Sequence, residues 1–283
     1  MGTYIEFLKS KRHEASDFGF EPVWMPNGAF DFQEHIINKA VRKGRVGIFA
    51  DTGLGKTLQQ LAIAENVIRV TNKRVLILTP LAVAFQFIEE ATRIGIDDIE
   101  HSKDGKLTKK IVVCNYERLH LLNSDDFECV ILDESSILKN FAGKTRDLIV
   151  AFIKKVPYRF LATATPSPND FIELGNSSEA LGYMGYMDML GKFFKSNQGS
   201  VDSNNRNIGE KFYLKPHAER DFFAWVNQWS IMVKKPSDLG YSDAGYDLPA
   251  LHTNNHVVHN SKQWSIGGQM SLYAMPAKTM TEV

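Results

Sequence analysis

The sequence predicts an α/β fold built on a mostly parallel central sheet. Two observations lead there. Five short β-rich runs, at 46–50, 75–79, 111–115, 129–133 and 159–163, are continuously apolar rather than alternating, the pattern of strands covered on both faces. Helical patterns separate most of them, and strands alternating with helices make βαβ units and a parallel sheet. A sheet of that kind binds ligands at the carboxyl ends of its strands, so those ends are where functional residues should gather.

Residues 1–29 read as an N-terminal extension. They open with MGTYIEFLKSKRHE, which has no apolar signal core, and Glu6 stands where a myristoylation signal needs Ser or Thr. No apolar run in the 283 residues approaches the ~18–20 needed to span a membrane, so the chain is expected in the cytosol.

The first strand runs into GIFADTGLGKT, residues 47–57. Its end fits the phosphate-binding pattern G-x-x-x-x-G-K-[ST], with Ala50 in place of the first glycine. Asp51, Thr52, Gly53, Leu54 and Gly55 form the turn, whose glycines let backbone N–H groups curl toward a phosphate. Lys56 would reach the β- and γ-phosphates of ATP, and the Thr57 hydroxyl would ligate Mg²⁺. The helix that follows carries Leu58, Leu61, Ala64 and Ile68 along one stripe.

The strand at 129–133 ends on two adjacent carboxylates, Asp133 and Glu134, in ECVILDESSILKN. Two acids at the tip of a buried strand repel each other and cost desolvation, and a bound cation would offset both. Alone, the pair would also suit a helix N-cap. With GLGKT upstream, Asp133 is expected to hold the same Mg²⁺, and Glu134 to orient or deprotonate the attacking water. Residues 143–153 repeat the helical pattern, and the last of the five runs leads into LATATPSPND.

After residue ~170 the alternation stops. Residues 171–194 read as helical, 195–211 (SNQGSVDSNNRNIGE at its centre) as a flexible polar loop, and Pro216 opens a helix expected to continue through Val233, with Phe222, Trp225, Val226 and Trp229 facing the core. Residues 246–283 read as a linker. Three histidines in LHTNNHVVHN invite a metal site, but on a strand His252 and His256 share a face that His259 does not, so a connecting strand is preferred.

Composition adds little. Lys plus Arg (33) balance Asp plus Glu (33), so net charge argues neither for nor against nucleic acid. Basic residues cluster at Arg42, Lys43 and Arg45, at Lys103, Lys106, Lys109 and Lys110, and at Lys154 and Lys155, and are read as solvated faces. Cys114 and Cys129 lie inside apolar runs and are read as core residues.

QEHII, GLGKT, VLILTPLAVAFQF, VVCNYERL, ILDESSILKN and LATATPSPND follow in the order of the first-lobe motifs of superfamily-two helicases. Within that superfamily the sequence most resembles the Swi/Snf-type DNA-dependent ATPases, and among them helicase-like proteins of phages and prophages. Lys139-Asn140 after the acids and Thr165-Pro166 with Asn169 carry that finer likeness. The resemblance implies a RecA-like ATP-binding lobe over 30–175, a helical extension over 176–245, and a linker toward a second RecA-like lobe that the chain lacks. It also implies an ATP hydrolase of bacterial or phage-infected cytosol that needs Mg²⁺ and moves on DNA, duplex and without sequence specificity.

Carried over residue by residue, Gln33 matches the glutamine that reads the adenine edge, with Phe30 or Phe32 contacting the base; a surface helix glutamine would look the same. Thr79-Pro80 and Asn115-Tyr116 match motifs whose loops contact the nucleic-acid backbone. Thr163 and Thr165 match the motif that couples hydrolysis to motion, though strand-end turn chemistry would also place threonines there. Two departures stand out. Ser136 replaces the histidine of DEAH-type motifs, and the only arginines after Pro166 are Arg206 and Arg220, neither in the context of the arginine motif that completes such sites. The chain alone is therefore expected to bind ATP·Mg but hydrolyse it slowly. A strand-separating helicase, a restriction-type motor subunit and a nucleotide-dependent binding module without turnover are the alternatives.

Overall fold

A computed structural model of the protein describes residues 17–139, 144–167, 169–196 and 212–246. The 246–283 linker beyond its first residue, its histidines, and most of the 195–211 loop lie outside these residues, as do Arg206 and Asn140.

In chain order the main elements are α1 (Asp31–Lys43), β1 (Arg45–Ala50), α2 (Lys56–Thr71), β2 (Arg74–Thr79), α3 (Ala84–Arg93), β3 (Ile99–His101), β4 (Ile111–Asn115), β5 (Phe127–Asp133), α4 (Lys144–Ile153), β6 (Tyr158–Ala162), α5 (Leu174–Leu181), α6 (Tyr186–Phe193), β7 (Phe194–Ser196), β8 (Phe212–Leu214), α7 (Glu219–Trp229) and β9 (Ser230–Val233). Seven strands form one sheet in the order β3-β4-β2-β5-β6-β1-β9, with every pairing parallel. β7 and β8 make a separate antiparallel pair.

The five expected strands are all present, and their apolar runs are buried on both faces. One core, with Ile36, Leu61, Ile77 and Ile131, lies under α1, α2 and α3. The other, with Leu132, Ile149, Leu161, Phe222 and Trp229, lies under α4 to α7. This is the RecA-like arrangement the sequence implies.

The helix expected through Val233 instead ends at Trp229, and Ser230–Val233 becomes β9, pairing with β1 at the sheet's edge. Its Ser-Ile-Met-Val run continues the apolar character of the helix, which hides the break; Ser230 turns to extended backbone at φ −133° and ψ 159°. Residues beyond Gly175 thus build the same core and sheet as those before it. No described helix is long and apolar enough to cross a membrane.

Candidate active site

Because every strand of the sheet runs the same way, the carboxyl ends of β1, β5, β6 and β2 share one rim. The glycine turn and the paired acids both sit there. After Ala50 the chain turns through Gly53 (φ +82°) and Gly55 (φ +76°), left-handed conformations that favour glycine, and enters α2 at Lys56. A methyl group on Gly55 would lie 2.3 Å from the Gln33 amide nitrogen, so the closeness of α1 also demands a glycine.

Lys56 lies back across this turn, its ammonium donating to the carbonyls of Ala50 (2.9 Å) and Asp51 (3.0 Å). Burial lowers its pKa, while the negative charges of Glu134, Asp133 and Asp51 pull the other way. Gln60, four residues after Lys56 on the same helix, bonds to Asp133, so the lysine and the acids share this rim. Thr57 follows at the head of α2, half-buried. The Asp51 carboxylate accepts from the Thr52 N–H (2.7 Å), and the Asp51 N–H donates to Val233 O on β9 (2.9 Å), which ties the start of the turn to the edge strand.

Asp133 is held by three neighbouring elements. Gln60, one turn beyond Lys56 on the same helical face, donates to Oδ1 at 2.8 Å, and Thr79 at the end of β2 donates to Oδ2 at 2.9 Å. The Tyr116 hydroxyl donates to the Asp133 backbone carbonyl at 2.5 Å. Burial foremost, and the charge of Glu134, push the Asp133 carboxyl above its ordinary range against the pull of the two side-chain hydrogen bonds and Lys56. The cost foreseen for adjacent acids is thus real in the fold.

Glu134 takes a left-handed conformation (φ +53°), a strain of about 1–2 kcal/mol for a residue with a Cβ. The turn sends its carboxylate toward β6, where the Thr163 hydroxyl donates to it at 2.8 Å. Thr163 in turn accepts the Thr165 N–H (3.1 Å), so Glu134 and the TAT segment form one hydrogen-bonded unit. The Thr165 hydroxyl is exposed and faces the Lys139 amine (3.5 Å). Ser136, where a histidine stands in the DEAH pattern, donates to Glu134 at 3.3 Å.

Gln33 is not on the surface. It is buried under the turn, its amide donating to Leu54 O (3.1 Å) and accepting from Phe30 N–H (3.1 Å), so it clamps α1 to the phosphate loop. Phe30 beside it is exposed, stacked with Phe32 and met edge-on by Tyr246. The nucleic-acid residues need a correction: Thr79 and Asn115 are 0% and 1% exposed, with side chains bonded inward, so neither offers its hydroxyl or amide to a phosphate. Tyr116 is likewise buried. Of that set Pro80 alone is partly exposed.

Gln60 was missed by sequence reasoning. Its signal was available: it is one of two adjacent glutamines in an apolar helical stretch, LQQLAIA, and the one four positions after Lys56.

Residues 30–173 match the DEAD/DEAH box helicase family. The chain belongs to that family. This helicase domain is 27% identical over 197 residues to the ATP-dependent helicase YqhH of Bacillus subtilis, covering 65% of this chain and 35% of that protein. To the DNA annealing helicase and endonuclease ZRANB3 of Bos taurus it is 29% identical over 168 residues, covering 53% and 16%. To protein p41 of Acyrthosiphon pisum secondary endosymbiont phage 1 it is 29% identical over 168 residues, covering 50% and 36%. The Sulfolobus solfataricus SWI2/SNF2 ATPase core in complex with dsDNA shares the fold, with a TM-score of 0.56 and 18% identity over 75% of this chain and 46% of that one. The chain spans little more than a third of the length of the curated relatives it matches, or less.

Proposed function

We propose that this helicase domain is the nucleotide-binding lobe of an ATPase that uses Mg²⁺ and ATP to move on duplex DNA. The observation that carries the reading is the convergence on one rim of the Lys56 ammonium, the partly buried Asp133 carboxylate and Glu134, already hydrogen-bonded to Thr163. Lys56 would leave the Ala50 and Asp51 carbonyls for the β- and γ-phosphates, and the N–H groups of residues 52–55 would supply further donors.

The hard oxygens of Thr57 and Asp133 suit magnesium, which takes one or two carboxylates together with phosphate oxygens. Asp133 ends its strand partly buried beside Glu134, and a cation there would offset both the burial and the repulsion. When bound, the ion would neutralise charge building on the transferred phosphoryl group. Glu134 accepts the proton of the attacking water, and Thr163 holds its carboxylate in position for that. Thr163 and Thr165 would pass changes at the acids to the rest of the rim. Gln33 and Phe30 would meet the base.

Motion on duplex DNA rests on the family, on the likeness of fold to a dsDNA-bound SWI2/SNF2 core, and on relatives named as DNA helicases. Because the chain spans a minor part of those relatives, activity on DNA belongs to this proposal.

The test is phosphate release by the purified chain with ATP·Mg, with and without duplex DNA, beside nucleotide titration of Lys56→Ala. Stimulation by DNA, and loss of nucleotide affinity in the variant, are expected; unchanged affinity in Lys56→Ala would overturn the site assignment. Binding of ATP with no release under either condition would favour a binding module.

A further inference from the structure

Two adjacent glutamines lie buried near the start of α2, and the fold gives them different partners. Gln59 donates to Leu54 O (3.0 Å), the carbonyl that also accepts from Gln33, so it belongs to the glycine turn. Gln60 instead reaches β5, where its amide donates to Asp133 Oδ1 at 2.8 Å. Both glutamines are 0% exposed.

Gln60 keeps this bond at a cost. Its Oε1 is buried and has no hydrogen-bond donor among the described residues, and a buried acceptor left without a donor destabilises the fold. Turning the amide over would not help, since Oε1 would then face a carboxylate oxygen, acceptor against acceptor. An apolar side chain at position 60, like the Leu61, Ala62 and Ile63 that follow, would avoid the cost and forfeit the donor to Asp133. What the position supplies is therefore that N–H, and local rules broken in this way mark functional positions.

The bond also joins the two halves of the site. Gln60 stands four residues after Lys56, one turn along α2, so both side chains leave the same face of one rigid element. Lys56 lies across the glycine turn, and Gln60 holds the acid at the end of β5. The gap between the phosphate loop and that carboxylate is thus set by a single turn of helix. Thr79 donates to the other oxygen, Oδ2, at 2.9 Å, so protein donors alone fix the plane of the carboxylate. Each carboxylate oxygen has two lone pairs, and one on each is left for a cation.

We propose that Gln60 is a positioning residue that sets Asp133 against the phosphate loop, so that Mg²⁺ is gripped in register with the nucleotide phosphates. This rests on the nucleotide reading above and deepens it, by assigning the register to a residue outside both the glycine turn and the paired acids. Gln60 acts through Asp133 and touches no ligand itself.

The test uses the whole chain with a non-hydrolysable ATP analogue. Analogue affinity is measured by calorimetry in EDTA and in excess Mg²⁺, and uptake of Mn²⁺ by the chain–analogue complex is followed by electron paramagnetic resonance. Gln60→Met, similar in length but without a donor, should leave affinity in EDTA within about twofold and lower the Mn²⁺ affinity about tenfold or more. Affinity in Mg²⁺ should fall with it. Gln60→Asn keeps an amide one methylene short of Asp133 and should show the same metal-specific loss. Mn²⁺ affinity equal to wild type in either variant would overturn the proposal. So would an equal loss of analogue affinity with and without metal, which would mark a general disturbance of the helix. A wild-type complex that takes up no Mn²⁺ would refute the parent reading instead.

Discussion

Replacing Asp133 with Asn should make the protein more stable while removing its activity. In the fold, burial and Glu134 raise the Asp133 pKa although Gln60, Thr79 and Lys56 oppose them, so the ionised form is net disfavoured. The sign follows. Between the ordinary value of 3.8 and the raised one, the native state holds more protons than the unfolded chain, so stability falls as pH rises through that window. Above the raised value the whole deficit is present.

Asparagine removes that charge at little cost in hydrogen bonds. Its oxygen can still accept from the Gln60 amide, and its amide can donate to the Thr79 hydroxyl, which accepts as readily as it donates. A gain of about 1 kcal/mol is expected, the size typical of relieving a functional site. For a chain of this size that is about 2–4 °C in melting temperature. Thermal melts from neutral pH down toward pH ~4, without nucleotide, would measure it, and the advantage of Asp133→Asn should shrink as pH falls toward the ordinary carboxylate range. Adding ATP·Mg should raise the melting temperature of the wild type more than that of the variant. A variant less stable than wild type at neutral pH, or an advantage that does not change with pH, would falsify the claim that buried charge is what this site costs.

Glu134→Gln should keep nucleotide affinity and lower phosphate release by about 10²–10⁴, the usual contribution of a general base, as read in single-turnover assays. Thr163→Val removes both the donor to Glu134 and the acceptor for Thr165 N–H, and should lower kcat by about 10- to 100-fold with nucleotide affinity unchanged. Gly55→Ala meets a positive φ and the Gln33 amide together, and should cost about 1–3 kcal/mol in denaturant titrations along with nucleotide binding. Removing that amide as well, in Gly55→Ala with Gln33→Ala, relieves only the second obstacle and should recover only part of the stability.

What the sequence makes legible follows from how strongly local pattern is dictated by burial. Strands sealed on both faces must be apolar throughout, so runs such as Ile111–Asn115 mark themselves. β3 is three residues, Ile-Glu-His, on the sheet's edge, and nothing in its composition sets it apart from a loop. β9 follows α7 without a breaker, because an edge strand needs only a change of backbone angles at Ser230. In the site, the convergence of Lys56, Asp133 and Glu134 was readable because a strand end and a glycine turn fix where each stands. The inward turn of Thr79, Asn115 and Tyr116 was not. A threonine or asparagine at a strand's end has the same letter whether it faces solvent or a buried carboxylate, and only the packing of β4 and β5 on either side of β2 decides.

The bond from Asp51 N–H to Val233 O has a bearing on how the protein is made. These residues are 182 positions apart (233 minus 51), so at about 5–20 residues per second the ribosome needs roughly 10–40 s between them. Through that interval β1 has no β9 beside it and presents an open edge, while the phosphate loop lacks its anchor. Nucleotide therefore has no finished cradle to stabilise on the nascent chain, and the newborn domain must rely on its own apolar core until the last strand emerges.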